Sequence, residues 1–176
     1  MRVITGSLKG QTFANVSSLT HPMSEKMLGG LFNVLGDISD LDVLDCYAGT
    51  GAVIYEAISR GANTCVAVEH NSKTCKNIKN NIKKFQISSK AEVIKSSVKS
   101  YADNSLPNSF DVIICDPPYD DIKEVDIISL EPLLKNSGIF VVSYPPSIEL
   151  PRFNNLYLVK EKSYGDSKLV FLSQKL

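Results

Sequence analysis

Apolar residues fall along the chain in short blocks, and from Asp42 onward strand-like runs alternate with helical periodicity. Val43-Leu44-Asp45-Cys46 reads as a first strand, followed by a turn at Gly49-Thr50-Gly51. Ala52 to Arg60 then predicts a helix with Val53, Ile54, Ala57 and Ile58 inward and Gly61 as its stop. Thr64 to Glu69 predicts a second strand, and Asn71 caps a helix carrying Cys75, Ile78, Ile82 and Phe85 on one face. Ala91 to Lys95 and Phe110 to Cys115 are the third and fourth strands, Ile122 to Leu134 a helix, and Ile139 to Tyr144 a fifth strand. After Pro145, Pro146 and Pro151, two β-like runs remain, Leu156 to Lys162 and Lys168 to Ser173. The turn signal Tyr164-Gly165-Asp166 joins them into an antiparallel hairpin. Repeated βα units closed by a hairpin imply the α/β class: a doubly wound, mostly parallel seven-stranded sheet with helices on both faces.

Ahead of this alternation, Val3-Ile4 and Thr12-Phe13 flank Gly6, Lys9 and Gly10, the pattern of a short hairpin over 2–13. Residues 14–23 are rich in Ser, Asn and Thr and end at His21-Pro22, which marks a loop. Ser24 caps a helix through Met27, Leu28, Leu31, Phe32 and Leu35. Gly29-Gly30 inside it costs about 1 kcal/mol per glycine relative to alanine, so that helix is short, mobile or closely packed there. No linker or repeat divides residues 1–176, which are expected to form one domain with 1–23 as an N-terminal extension.

With 43% hydrophobic and 22% charged residues the composition is that of an ordinary globular protein. No apolar run approaches the roughly 18 residues of a membrane span, and Met1 to Gly6 lacks the plan of a signal peptide. A soluble cytoplasmic protein is expected. Cys46, Cys65 and Cys115 fall in strands and Cys75 in a helix, without a C-x-x-C spacing, so buried thiols and no metal site are expected. Net charge is zero, which removes any bulk attraction to nucleic acid, but the distribution is uneven. Lys73 to Lys99 holds eight lysines against Glu92 alone, and Asp103 to Glu131 holds eight acids against Lys123 alone. Two solvated faces, or a basic face that holds phosphates, both fit that pattern.

The chemistry gathers at strand ends. Asp116-Pro117-Pro118-Tyr119 follows a strand buried on both faces, where open α/β sheets bind ligands. Two prolines fix φ and leave carbonyl acceptors, and Tyr119 adds a flat ring, which together suit a planar group bearing an NH2. Asp45-x-x-x-Gly49-x-Gly51 occupies the first βα turn, where glycines admit a ligand close to the backbone. Ile54 stands where a dinucleotide fingerprint wants its third glycine, so a nucleoside-like ligand without a pyrophosphate fits better. Glu69, ending the second strand, can accept two hydrogen bonds from ribose hydroxyls or cap the following helix.

In this order Asp45, Gly49, Gly51, Glu69 and Asp116-Pro117-Pro118-Tyr119 resemble the class I S-adenosylmethionine-dependent methyltransferases, with their Rossmann-like fold, and the branch that methylates exocyclic amines of nucleobases. The N-terminal hairpin, the Pro22 segment before Leu31-Phe32-Asn33, Asp45 to Ala52, Glu56-Ala57, Ser59-Arg60-Gly61-Ala62 and Tyr164-Gly165 make the chain similar over its whole length to one family, the RsmD-type 16S rRNA guanine-N2 methyltransferases. The resemblance implies S-adenosylmethionine held by Asp45, Ala48, Gly49, Gly51, Glu69, His70, Ser97 and Asp116. It implies catalysis by Asp116, Pro117 and Tyr119, and RNA contacts from Arg2, Lys9, His21, Lys26 and Pro118. Three departures stand out. Lys26, Met27, Leu28, Gly29 and Gly30 stand where the family has further basic residues and a Glu-Ala pair ahead of Leu-Phe-Asn. His21-Pro22-Met23 replaces the family's Arg-Pro-Thr, and Ser96 or Ser97 stands where an acid meets the adenine amine. The implied partner is 16S rRNA in the small ribosomal subunit or its assembly intermediate, with the protein a monomer. Methylation of adenine N6 in DNA or RNA, or non-catalytic binding of cofactor and RNA, are the alternative readings.

Overall fold

The computed structural model describes residues 1–14 and 23–174. Among them, seven strands form one sheet: β1 (Asp42–Cys46), β2 (Thr64–Glu69), β3 (Ala91–Lys95), β4 (Phe110–Cys115), β5 (Leu134–Tyr144), β6 (Leu156–Tyr164) and β7 (Ser167–Gln174). The order is β3-β2-β1-β4-β5-β7-β6. The first five strands run parallel, β7 is antiparallel to β5, and β6 is antiparallel to β7. This is the predicted doubly wound sheet with its closing hairpin. The helices are α1 (Glu25–Leu35), α2 (Ala52–Ser59), α3 (Ser72–Lys84), α4 (Val98–Asp103) and α5 (Glu124–Ile128).

The period-two pattern of the strands divides the apolar side chains between two cores. Val43, Val112, Ile114, Val141, Leu169 and Phe171 face α1, α2 and α3. Leu44, Cys46, Ile113, Cys115, Phe140, Val142 and Leu172 face the layer of α4 and α5. All four cysteines are buried and free. No helix among the described residues is long and apolar enough to cross a membrane.

Three elements differ from the sequence pattern. The helix expected over Ile122 to Leu134 is only Glu124–Ile128, followed by a 3-10 turn, Glu131–Leu133. Pro132 has no N–H and disfavours helical geometry in the residue before it, so the chain leaves the helix and enters β5 early, at Leu134 rather than Ile139. α4, six residues capped by Ser97, is too short to show a period. The N-terminal hairpin forms without regular strands: one antiparallel bridge joins Arg2 and Thr12, with Val3 N–H donating to Gln11 O at 2.9 Å and Phe13 N–H to Met1 O at 3.0 Å.

What anchors that N-terminal segment is α2. The Ile4 and Thr5 N–H groups donate to the fully buried Glu56 carboxylate at 2.7 and 3.1 Å, and Arg60 Nε donates to the same group at 2.7 Å. Leu8 N–H donates to Ser59 Oγ at 2.9 Å, while the Ser59 hydroxyl donates to the Thr5 carbonyl. Gly6 has φ 84, and a Cβ there would lie 1.7 Å from the Ser59 carbonyl oxygen. Phe13 then packs edge-on against Tyr55 at 4.9 Å and Phe85 at 6.4 Å, tying the segment to α2 and α3.

Ser24 caps α1 as expected, its hydroxyl accepting from Met27 N–H at 3.2 Å. The glycine pair inside α1 resolves into two different positions. At Gly30 a Cβ would lie 1.7 Å from the Tyr164 hydroxyl, so the helix passes close to the end of β6, whereas at Gly29 nothing lies nearer than Ile4 at 4.0 Å. Gly29→Ala should therefore stabilise the protein by about 1 kcal/mol through helix propensity. Gly30→Ala should destabilise it by about 1–2 kcal/mol through overpacking, and become stabilising in a Tyr164→Ala background. Urea unfolding of the four variants checks this; equal effects at the two glycines would contradict the packing role of Gly30.

Candidate active site

The strand order reverses between β1 and β4, and the crevice at their carboxyl ends is where such sheets bind ligands. Cys46 and Cys115 are register partners, so Tyr47 and Asp116 leave the sheet side by side, with Asp116 N–H 3.4 Å from the Cys46 carbonyl. The loop after β1 is tightly wound: Tyr47, Gly49 and Gly51 have φ of 61, 53 and 78. Ala48 N–H donates to Val68 O at 3.1 Å and Gly51 N–H to Ala48 O at 2.8 Å. Gly51 is the N-cap of α2, and a Cβ there would lie 2.6 Å from the hydroxyl of buried Tyr55. Only glycine fits both the φ and the space.

Three carboxylates surround this loop. Glu69 accepts from Gly49 N–H at 3.1 Å with one oxygen and from Asn71 N–H at 2.7 Å with the other. Both sequence readings of Glu69 are thus compatible with its position: it braces the loop and the start of α3, and each oxygen keeps a lone pair for a further donor. Asp45 is 2% exposed and its Oδ2 has no partner. Burial, followed by the charges of Asp116 and Glu69, pushes its carboxyl well above the ordinary range. Burial likewise pushes Asp116 up to about 6, opposed by a hydrogen bond from the Ser143 hydroxyl.

That serine belongs to the site and carries no motif. Ser143 is fully buried near the end of β5, and its Oγ lies 2.6 Å from the Tyr119 hydroxyl. Ser143 thus links the Tyr119 hydroxyl to Asp116, a relay that holds the tyrosine ring near the acid. The Pro118 carbonyl is taken by Asp121 N–H at 3.1 Å, whereas no described donor reaches the carbonyl of buried Pro117. Asp116 and Pro117 therefore remain acceptors. A polar residue inside the apolar run Phe140 to Tyr144 was the one signal in the sequence that could have pointed to Ser143.

The other expected site residues are more scattered. Ala48 is buried in the loop; His70 is exposed beside Glu69, with Nδ1 3.3 Å from its carboxylate. Ser97 caps α4, accepting from Ser100 N–H at 3.2 Å, at the end of β3, two strands from β1. Pro118 is exposed on the rim. Arg2, 3.6 Å from Glu25, and Lys9 are exposed on the N-terminal segment and Lys26 on α1; His21 lies outside the described residues. No cluster of three or more His, Cys, Asp or Glu among the described residues is arranged to hold a metal ion.

The chemistry of the pocket suits S-adenosylmethionine. An orphaned buried acceptor on Asp45, among acids and close-approach glycines, calls for a donor carrying positive charge, which the ammonium group of that molecule supplies, and the acids around it suit the positive charge of its sulfonium.

Comparison with known proteins agrees in extent. The family model described as Conserved hypothetical protein 95 matches residues 1–173. The chain is 31% identical to the protein named Ribosomal RNA small subunit methyltransferase D from Buchnera aphidicola subsp. Acyrthosiphon pisum, covering 90% of this chain and 86% of that protein. It is 30% identical over 173 residues to YlbH of Bacillus subtilis, covering 94% of each. The solved structure of yhhF from Escherichia coli superposes with a TM-score of 0.88 at 26% identity, covering 99% of this chain and 98% of that one.

Proposed function

The chain belongs to the Conserved hypothetical protein 95 family, the RsmD-type family its motifs resemble, and on that premise we propose that it methylates the exocyclic N2 amine of a guanine in 16S rRNA of the small ribosomal subunit, using S-adenosylmethionine. The observation that carries this reading is the pair of acceptors at the end of β4, the Asp116 carboxylate and the Pro117 carbonyl that no described donor reaches, beside the acid-lined loop after β1.

Bound there, S-adenosylmethionine supplies an electrophilic methyl group. Asp45, Glu69 and the backbone of Ala48 to Gly51 would hold it. The guanine N2 lone pair is delocalised into the ring and is a poor nucleophile. Asp116 and the Pro117 carbonyl accept its two hydrogens, which turns the lone pair outward, and Tyr119 holds the base by stacking. Transfer would form the N2–CH3 bond as the methyl–sulfur bond breaks and leaves a neutral thioether, and Asp116 takes the proton that the methylated N2 sheds. Orientation and fixed acceptors supply most of the gain, and effective molarity alone can be worth about 7–11 kcal/mol. The target must be unpaired or flipped out to enter. Arg2, Lys9, Lys26 and exposed Pro118, with His21, are the contacts proposed for the RNA around it.

Transfer of labelled methyl groups from S-adenosylmethionine to small subunits from a strain lacking the enzyme tests the activity. Incorporation near one methyl per subunit is expected, and none on subunits, assembly intermediates or naked 16S rRNA would overturn it. Ser143→Ala should lower kcat/KM for the RNA about 10–100-fold, the worth of a hydrogen bond to a charged group. It should also move the acidic limb of the pH profile upward, because the hydroxyl that favours ionised Asp116 is gone. An unchanged profile would rule out the relay.

A further inference from the structure

Charge on this neutral molecule is segregated by element. α3 carries Lys73, Lys76, Lys79, Lys83 and Lys84 and no acid among its 13 residues. All five are exposed, and their spacing puts them on the side opposite Thr74, Cys75, Ile78, Asn81 and Ile82, which are buried. None of the ion pairs among the described residues involves a lysine of this helix. Like charges three and four apart weaken a helix, so the row is unfavourable unless something anionic lies across it.

Its placement gives the row a direction. α3 begins at Ser72, just after Glu69, the acid that braces the loop after β1, so Lys73 stands at the site end and Lys84 at the far end. The N-terminal segment runs along the same helix. Lys84 Nζ donates to the Thr12 carbonyl at 2.6 Å and Asn77 Nδ2 to the Ala14 carbonyl at 3.1 Å, so the chain climbs α3 toward the site. Helix and segment thus lie side by side, and the lysine row makes a cationic track of about 20 Å, the length of a 13-residue helix.

We infer that the lysine face of α3 is a backbone-binding track for the RNA that flanks the target nucleotide, with Lys73, Lys76 and Lys79 contacting phosphates. This rests on the proposed RNA substrate. Lysine contacts of this kind position the RNA and carry no sequence information, so they act on affinity and its salt dependence rather than on the methyl-transfer step.

The test compares wild type, Lys73→Gln/Lys76→Gln/Lys79→Gln, and Lys160→Gln/Lys162→Gln on β6 at the opposite sheet edge. Binding to small subunits is measured across salt concentrations, with S-adenosylmethionine affinity as a check on folding. The α3 variant should flatten the plot of log affinity against log salt by about 2–3, near one per lysine, while cofactor affinity holds. The β6 variant should keep the wild-type slope. An unchanged slope in the α3 variant, equal flattening per charge in the β6 variant, or loss of binding only to anionic phospholipid vesicles overturns the track. Wild-type protein that binds subunits through these lysines and transfers no methyl would instead overturn the proposed activity and leave the track standing.

Discussion

Asp116→Ala is expected to lower methyl transfer by about 10²–10³-fold or more, the usual cost of removing one preorganised polar group at a reacting centre. Its effect on S-adenosylmethionine affinity should be small, because Asp45, Glu69 and the loop from Ala48 to Gly51 remain. The same acid sets the pH dependence. Desolvation holds its pKa at about 6, so transfer should fall as pH drops below about 6 and the carboxylate becomes protonated. Stability should run the other way. A carboxyl held more weakly acidic in the folded protein than in the unfolded chain favours folding at low pH, fully below about 4, and loses that contribution as pH rises through about 6. Asp116→Asn, which cannot ionise, should therefore be more stable than wild type by up to about 2–3 kcal/mol near pH 8, with a smaller difference near pH 4. An inactive variant with this gain marks an acid kept for chemistry at a cost in stability. Retained turnover, or a variant less stable at pH 8, would contradict the role.

The largest stability effect is expected at Glu56. Its buried carboxylate accepts two backbone N–H groups of the N-terminal segment and the Arg60 side chain, whose guanidinium also lies 4.9 Å from the Phe32 ring centre. Glu56→Ala strands all three donors, and breaking a buried network of this kind costs about 3–5 kcal/mol. It should also free the segment from α2, so that limited proteolysis cuts ahead of α1 before the core opens. Glu56→Gln should recover only part, since its amide presents one acceptor oxygen where the carboxylate offers two. A loss below about 1 kcal/mol, or protease resistance equal to wild type, would mean that Phe13 and its aromatic neighbours anchor the segment instead.

The sheet and half of the site were legible because their signals are local. β2, β3 and β4 begin and end where the apolar runs do, and Asp45, Glu69 and Asp116 can be read as ligands because each lies at or just beyond the carboxyl end of a parallel strand. What escaped depends on residues far apart in sequence. Ser143 is an ordinary serine until β5 lies beside β4 and brings it against Tyr119 and Asp116. Glu56 looks like one acid in an amphipathic helix until the N-terminal segment covers it. Close packing was one of the readings open at Gly29-Gly30, but only the fold identifies Tyr164 as the reason and limits it to Gly30. The helix expected over Ile122 to Leu134 failed on a local signal: Pro132 breaks it, and the apolar residues beyond belong to β5.

The most direct measurement is the identity of the modified nucleoside. Small subunits from a strain lacking the enzyme, incubated with this protein and labelled S-adenosylmethionine, are digested and resolved by mass spectrometry. N2-methylguanosine at one 16S rRNA position, absent with Asp116→Ala, is the predicted result. N6-methyladenosine, or no methylated nucleoside from a protein that still binds S-adenosylmethionine, would contradict it.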